Sequence, residues 1–164
     1  MRRVRLALLA AAGLSLAGPA AADTHPFSIH DMLAMQRVAD PRVAPDGTRI
    51  AFTLSVTDLE ANRRRTDLYL TDTSGAPPRR LTQHEASDTS PRWAPDGKTL
   101  YFLSTRSGTQ QVWKLGLDGG EAERVTDEPL DVDALEVSPD GTRLFFSMAV
   151  FPGTSPADTQ ARLA

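Results

Sequence analysis

Three copies of one turn-and-strand pattern, spaced along the chain, leave few architectures open to it. Pro41-Arg42-Val43-Ala44-Pro45-Asp46-Gly47-Thr48-Arg49-Ile50-Ala51-Phe52 returns as Pro91-Arg92-Trp93-Ala94-Pro95-Asp96-Gly97-Lys98-Thr99-Leu100-Tyr101-Phe102. A third copy reads Leu135-Glu136-Val137-Ser138-Pro139-Asp140-Gly141-Thr142-Arg143-Leu144-Phe145-Phe146. A second element keeps step with the first. Asp67-Leu68-Tyr69-Leu70 is followed by Arg80-Leu81-Thr82, and Gln111-Val112-Trp113-Lys114 by Arg124-Val125-Thr126. Pro95 and Pro139 lie 44 residues apart, whereas Pro45 and Pro95 lie 50 apart. The six extra residues fall within 55–66, around Asn62-Arg63-Arg64-Arg65. Periods of this size mark propellers, solenoids and similar arrays.

Each repeat predicts four short strands. Pro-Asp-Gly is turn chemistry: Pro presets φ, Asp bonds nearby backbone, and Gly takes a positive φ that a Cβ resists. It closes a hairpin between the first two strands. Downstream, Ile50, Phe52 and Leu54 alternate with other residues, as do Leu100 with Phe102 and Leu144 with Phe146, giving half-buried strands. A third strand carries Tyr69 or Trp113, a Gly-bearing turn follows at Ser74-Gly75 or Asp118-Gly119-Gly120, and a short fourth strand ends in Leu81-Thr82 or Val125-Thr126. A β-sandwich also gives short strands at such spacing, but it does not predict the same turn and aromatic returning in register. The third copy reaches its second strand and runs into Phe151-Pro152-Gly153-Thr154-Ser155-Pro156, with no counterpart of Tyr69 or Trp113.

The expected fold is therefore all-β: an incomplete β-propeller of about two and a half four-stranded blades, preceded by a short helix and a signal peptide. The expected divisions are a signal peptide over 1–22, a leader with its helix over 23–40, blade 1 over 41–87, blade 2 over 88–132 and the start of a truncated blade 3 over 133–164. In the leader, Ser28 caps a helix whose face carries Ile29, Met32, Leu33 and Gln36, and Pro41 ends it. Uncovered sheet edges predict that the chain alone is poorly stable or prone to aggregate.

The N-terminus sets the compartment. Arg2, Arg3 and Arg5 precede an apolar run over 6–12, and Ala20-Ala21-Ala22 offers a small-residue cleavage site before Asp23. Gly13, Ser15, Gly18 and Pro19 interrupt the run too early for a membrane anchor, which needs about 18 apolar residues. The Arg pair lacks the flanking residues of a twin-arginine signal, and the chain has no cysteine to carry a lipid. Cleavage after Ala22 and export to the periplasm or the medium are expected. Cleavage removes three arginines and no acid from 18 basic and 21 acidic residues, moving the net charge from −3 to −6. A mildly acidic mature chain is a poor partner for nucleic acid, and without cysteines no disulfide holds the fold.

The motif Ser/Ala-Pro-Asp-Gly-Lys/Thr-x-Leu/Ile-x-Phe, with Arg-Leu-Thr between copies, resembles the propeller repeat shared by TolB and the prolyl oligopeptidase family of serine peptidases. TolB sets an α/β domain before its propeller, for which no room exists ahead of Asp40. The leader over 27–41 instead resembles that of bacterial dipeptidyl aminopeptidase and acylaminoacyl peptidase-like members, as does the run over 146–152. That resemblance implies an exported serine exopeptidase in which a C-terminal α/β-hydrolase domain, beyond Ala164, bears the Ser, Asp, His triad. Peptides are then substrates of that absent domain, and the propeller is their filter and scaffold. The alternative is a TolB-like periplasmic propeller that binds a partner protein and catalyses nothing.

No catalytic, cofactor-binding or metal-binding residue is expected within the chain. The nearest string to a serine elbow, Gly13-Leu14-Ser15-Leu16-Ala17, lies in the signal peptide. His25, His30 and His84 match no zinc spacing, and His84-Glu85 lacks the second histidine of a metalloprotease helix. Asp127, Glu128, Asp131 and Asp133 cluster between blades but lack the Gly of a calcium loop, and read as a solvated connection. Arg63-Arg64-Arg65 reads as a solvated hairpin tip, with docking of an acidic group as the sharper possibility. Trp93, Trp113, Tyr69 and Tyr101 fall at strand positions suited to packing between blades.

Overall fold

The computed structural model describes residues 25–164, and the expected signal peptide lies outside them. Three antiparallel sheets follow one another along the chain. β1 (Arg37–Val43), β2 (Arg49–Asp58), β3 (Arg63–Asp72) and β4 (Arg79–Arg80) form the first in sequential order. β5 (Asp88–Trp93), β6 (Thr99–Ser107), β7 (Thr109–Gly116) and β8 (Glu123–Arg124) repeat it. β9 (Ala134–Val137) and β10 (Leu144–Ser147) make a third sheet of two strands. The sheets stay open, and the fold is an incomplete β-propeller of two full blades and half of another. No helix among the described residues is long and apolar enough to cross a membrane.

The two full blades share one register. Phe52 lies opposite Tyr69 and Phe102 opposite Trp113, while Thr53 faces Leu68 and Leu103 faces Val112. Strand alternation sends successive side chains to opposite faces, so β6 serves two neighbours at once. Phe102 packs with Leu115 against Leu68 of blade 1. Leu103 and Val112 point the other way, into Val132 just ahead of blade 3 and Leu135 in its first strand. Burying each such side chain is worth about 1.5–3 kcal/mol. β5 accordingly lies against β1, β2 and β3 on one side and β9 on the other.

Four local features depart from the expectations. The leader helix α1 (Ile29–Ala34) is capped by Ser28 as expected, but it buries none of its residues and stops seven residues before Pro41. Val38 and its neighbours pair with β2 instead of continuing the helix, so β1 opens at Arg37 and carries Pro41 inside it. The insertion over 55–66 is not a loop: β2 and β3 each run ten residues, and Arg63, Arg64 and Arg65 pair with Asp58, Thr57 and Val56. Chain reversal falls at residues 59–62, with Asn62 at φ 47°. β1 and β5 each carry a bulge, with Asp40 at φ 46° and Ser90 at φ 55° before Pro41 and Pro91. The third copy has Leu135 where these prolines stand, and its ladder is regular. Finally, residues 156–163 form a helix, α2 (Pro156–Leu163), capped by Ser155 and held by Thr159, whose hydroxyl accepts from Phe151 N at 3.2 Å.

Candidate functional site

The three Pro-Asp-Gly turns have equivalent geometry. Gly47, Gly97 and Gly141 sit at φ 73°, 65° and 71°, and their amides donate to the carbonyls of Ala44, Ala94 and Ser138 at 2.9, 3.0 and 2.8 Å. Asp46, Asp96 and Asp140 accept from the amides of Thr48, Lys98 and Thr142 at 2.9, 2.7 and 3.0 Å. Those amides lead in holding the Asp46 and Asp96 carboxyls below the usual carboxylate range. The Ser138 hydroxyl leads at Asp140, which is pushed down to about 2. Successive turns also touch. A Cβ on Gly97 would meet Pro45 at 3.9 Å, and one on Gly141 would meet Pro95 at 3.1 Å.

Beside these turns the first strands of the blades exchange charge. Arg92 donates to Asp40 at 2.8 Å and to Glu136 at 3.1 Å, so one guanidinium joins three blades. Arg42 pairs with Asp40 at 2.7 Å. Trp93 Nε1 donates to the Arg42 carbonyl at 2.9 Å, its ring lies under Arg49, and Arg49 donates to the Gly97 carbonyl at 2.7 Å. Positions 42, 92 and 136 are equivalent in the repeat, so the seam carries Arg, Arg and Glu in turn.

A cleft of about 440 Å³ opens between the outer strand of blade 1 and blade 2, among Thr82, Gln83, His84, Arg106 and Leu115. Arg106 closes its floor. It pairs at 2.6 Å with Asp88, which is wholly buried, bonds Ser104 at 2.9 Å, and lies over the rings of Phe102 and Trp113. The hydroxyls of Thr82 and Thr126 accept from the third strand, from Leu68 N and Val112 N respectively, and that of Thr126 also donates to Gln111 Oε1 at 2.8 Å. The returning Arg-Leu-Thr element is thus the clasp between the fourth strand and the third.

The remaining polar groups singled out in the sequence are dispersed. His25 lies 3.6 Å from Asp31, and His84 Nδ1 accepts from Ala86 N. Asp127 pairs with Arg124, and Asp131 accepts from Gln110 N at 2.6 Å. Gln111, nearly fully buried, bonds the carbonyls of Glu128 and Leu130 and the Glu128 amide, fixing that acidic connection to blade 2. Among the described residues no three His, Cys, Asp or Glu side chains gather as metal ligands do. Arg63 approaches Glu85 at 3.9 Å and Arg65 bonds the Gln83 carbonyl, so two of the three arginines brace the interblade connection. Tyr69 stacks on Phe52 at 5.9 Å, and Tyr101 packs against the cluster shared with blade 3.

Comparison with known proteins bears on what such an array belongs to. The peptidase YuxL of Bacillus subtilis, itself uncharacterized, is 37% identical over 133 residues, 79% of this chain and 20% of its own. Dipeptidyl-peptidase 5 of Porphyromonas endodontalis is 27% identical over 158 residues, 90% of this chain and 23% of its own. The chain thus spans about a fifth of the length of these relatives. Among solved structures, a putative TolB from Agrobacterium tumefaciens superposes with a TM-score of 0.53 at 32% identity, covering 63% of this chain and 35% of that one. The acylaminoacyl peptidase of Pyrococcus horikoshii, at 21% identity and a TM-score of 0.57, covers 70% of this chain and 17% of that one, and shares the fold. The model of the TolB beta propeller domain matches residues 33–150. With turns, strand register and blade-to-blade contacts all repeating across that span, the chain belongs to the TolB beta propeller domain family.

Proposed function

We propose that this chain is the propeller portion of an exported serine exopeptidase, acting as scaffold and substrate filter for a catalytic α/β-hydrolase domain that it does not contain. The observation that carries the reading is the 37% identity to a protein named a peptidase across 79% of the chain, at only 20% of that protein's length. The remaining four fifths leave ample room for a hydrolase domain. Export rests on the basic, apolar and small-residue order of residues 1–22. Peptides reach the serine past the propeller, and the charged seam of Asp40, Arg42, Arg92 and Glu136 is the surface on which such filtering acts.

The second reading, a partner-binding propeller without catalysis, draws on the 32% identity to the putative TolB. Sequencing the gene past the codon for Ala164 and assaying the encoded protein on dipeptidyl and acylaminoacyl chromogenic substrates separates the two. The peptidase reading expects a Gly-x-Ser-x-Gly elbow with later Asp and His, and hydrolysis abolished by replacing that serine. A stop codon soon after the last blade, with no hydrolysis, leaves the TolB-like reading in its place. Hydrolysis by residues 25–164 alone contradicts both.

A further inference from the structure

The three repeats act as internal controls for one another, and at one place blade 2 departs from both others in its chemistry. Asp88 in β5 and Arg106 in β6 stand where blade 1 has Val38 and Val56 and where the third copy has Val132 and Val150. Two valines thus suffice at this place in a blade. A buried ion pair brings no advantage in packing, since its exchange for well-packed apolar residues is often neutral or stabilising. The pair calls for a reason other than holding the blade together.

The cleft between blades 1 and 2 supplies that reason. Asp88, wholly buried, holds Arg106 Nη2 at 2.6 Å, and Ser104 holds Nε at 2.9 Å. The rings of Phe102 and Trp113 lie 5.3 and 5.0 Å from the guanidinium carbon. The plane of the group is thereby fixed, yet Nη1 donates to no described residue. The 11% of this side chain that stays exposed opens on the cleft of about 440 Å³. A guanidinium ordered in advance loses little freedom when it takes a ligand. Thr82 adds a second donor. Its counterpart Thr126 donates to Gln111, but blade 1 has Asp67 in place of that glutamine, and the Thr82 hydroxyl donates to no described residue.

These parts select a class of ligand. Two donors without acceptors ask for an acceptor, and the planar guanidinium suits a planar carboxylate. Asp88 already balances the arginine and Glu121 lies exposed at the rim, so a dianion would bring excess negative charge. Leu81, Leu115 and Ala122 line the rest and suit a short aliphatic body. We propose that this cleft binds a monocarboxylate on a short aliphatic body, its oxygens taking protons from Arg106 Nη1 and the Thr82 hydroxyl. A free aliphatic acid and the C-terminus of a peptide ending in leucine share that chemistry. The site is independent of the peptidase reading, which can fail while this stands.

Titration of the isotope-labelled 164-residue chain with N-acetyl-leucine, read at the indole N–H resonances of its two tryptophans, tests the site. Trp113, which lies against Arg106, should shift saturably, and Trp93, whose Nε1 donates to the Arg42 carbonyl, should not move. N-acetyl-leucinamide, which lacks the charge, should bind at least about ten-fold more weakly. Inorganic phosphate should leave Trp113 in place. Asp88→Val with Arg106→Val, which installs the valines of the other two copies, should fold and lose the response. Acetyl-glycyl-glycyl-leucine separates the sources: tighter binding than N-acetyl-leucine assigns the site to peptide C-termini, equal or weaker binding assigns it to free acids, and both support it. A Trp113 shift that fails to saturate, an equal response to the amide, or displacement of N-acetyl-leucine by phosphate overturns the inference on the unaltered chain, and so does binding retained by the double variant.

Discussion

Asp46, Asp96 and Asp140 perform the same task three times, and their residue type announced it. Proline, aspartate and glycine in that order have few other uses than a tight reversal, and each carboxylate here accepts the amide two residues on. Asp140 titrates at about 2, below its ordinary 3.8, so its ionised form stabilises the fold above about pH 4 and that contribution fades as pH falls towards 2. Carboxyl NMR titration of Asp140 should give a midpoint near 2; a midpoint near 4 would mean that its bonds to Ser138 and Thr142 do not persist in solution. The glycines divide more finely. Gly47→Ala meets open space and bears only the left-handed backbone cost, about 1 kcal/mol, whereas Gly141→Ala adds a Cβ 3.1 Å from the Pro95 ring and should lose more in denaturant unfolding. Equal losses would mean that the Pro95 ring does not crowd Gly141 and that the two turns are packed alike. The bulges at Asp40 and Ser90 left no such trace, because a residue before proline ordinarily avoids positive φ.

Strands were legible where alternation and turn chemistry agreed, as over β2, β6 and β10. They were not where an element depends on its partner. Arg63 and Arg64 are exposed beside the hairpin reversal, as the basic run suggests, but that the run is already strand, paired with residues 56–58, depends on its partner and could not be read from it alone. α2 went unseen because Pro152, Gly153 and Pro156 suggest only a loop, although Ser155 and Asp158 form a capping box. The Asp88 and Arg106 pair is the sharpest departure from the repeat, since the equivalent positions hold Val38 and Val56 in blade 1 and Val132 and Val150 in the third copy. Arg106→Val leaves a buried carboxylate unpaired and should cost about 3–5 kcal/mol, while Asp88→Val with Arg106→Val should recover most of it. Urea unfolding of the two variants decides: a double variant as unstable as the single one means that the arginine's stacking on Phe102 and Trp113, and not its charge, holds the seam. Thr82→Val and Thr126→Val, which orphan the Leu68 and Val112 amides, should each cost about 1–3 kcal/mol in the same urea unfolding.

At the scale of the molecule, each blade shields a face of the next, and no disulfide shares the task. Phe145, Phe146, Val150 and Phe151 stay exposed at one end, and Val38 and Val43 at the other. The purified chain should therefore melt broadly and aggregate as it does so; a sharp, reversible, monomeric transition would show that the open ends cost little. What sequence alone conveyed at this scale was the period and hence the propeller. Which groups join the blades required coordinates, because Arg92 reaches Asp40 and Glu136 across about 50 residues in either direction.

The absence of cysteine makes the stacking itself measurable. Spin labels introduced pairwise at positions 48, 98 and 142, the exposed residues two beyond each turn aspartate, report blade-to-blade spacing by pulsed electron resonance. Consecutive equivalent wedges require narrow and matching distances for 48 to 98 and 98 to 142, with 48 to 142 longer than either. Unequal or broad distributions for the two adjacent pairs would contradict the account.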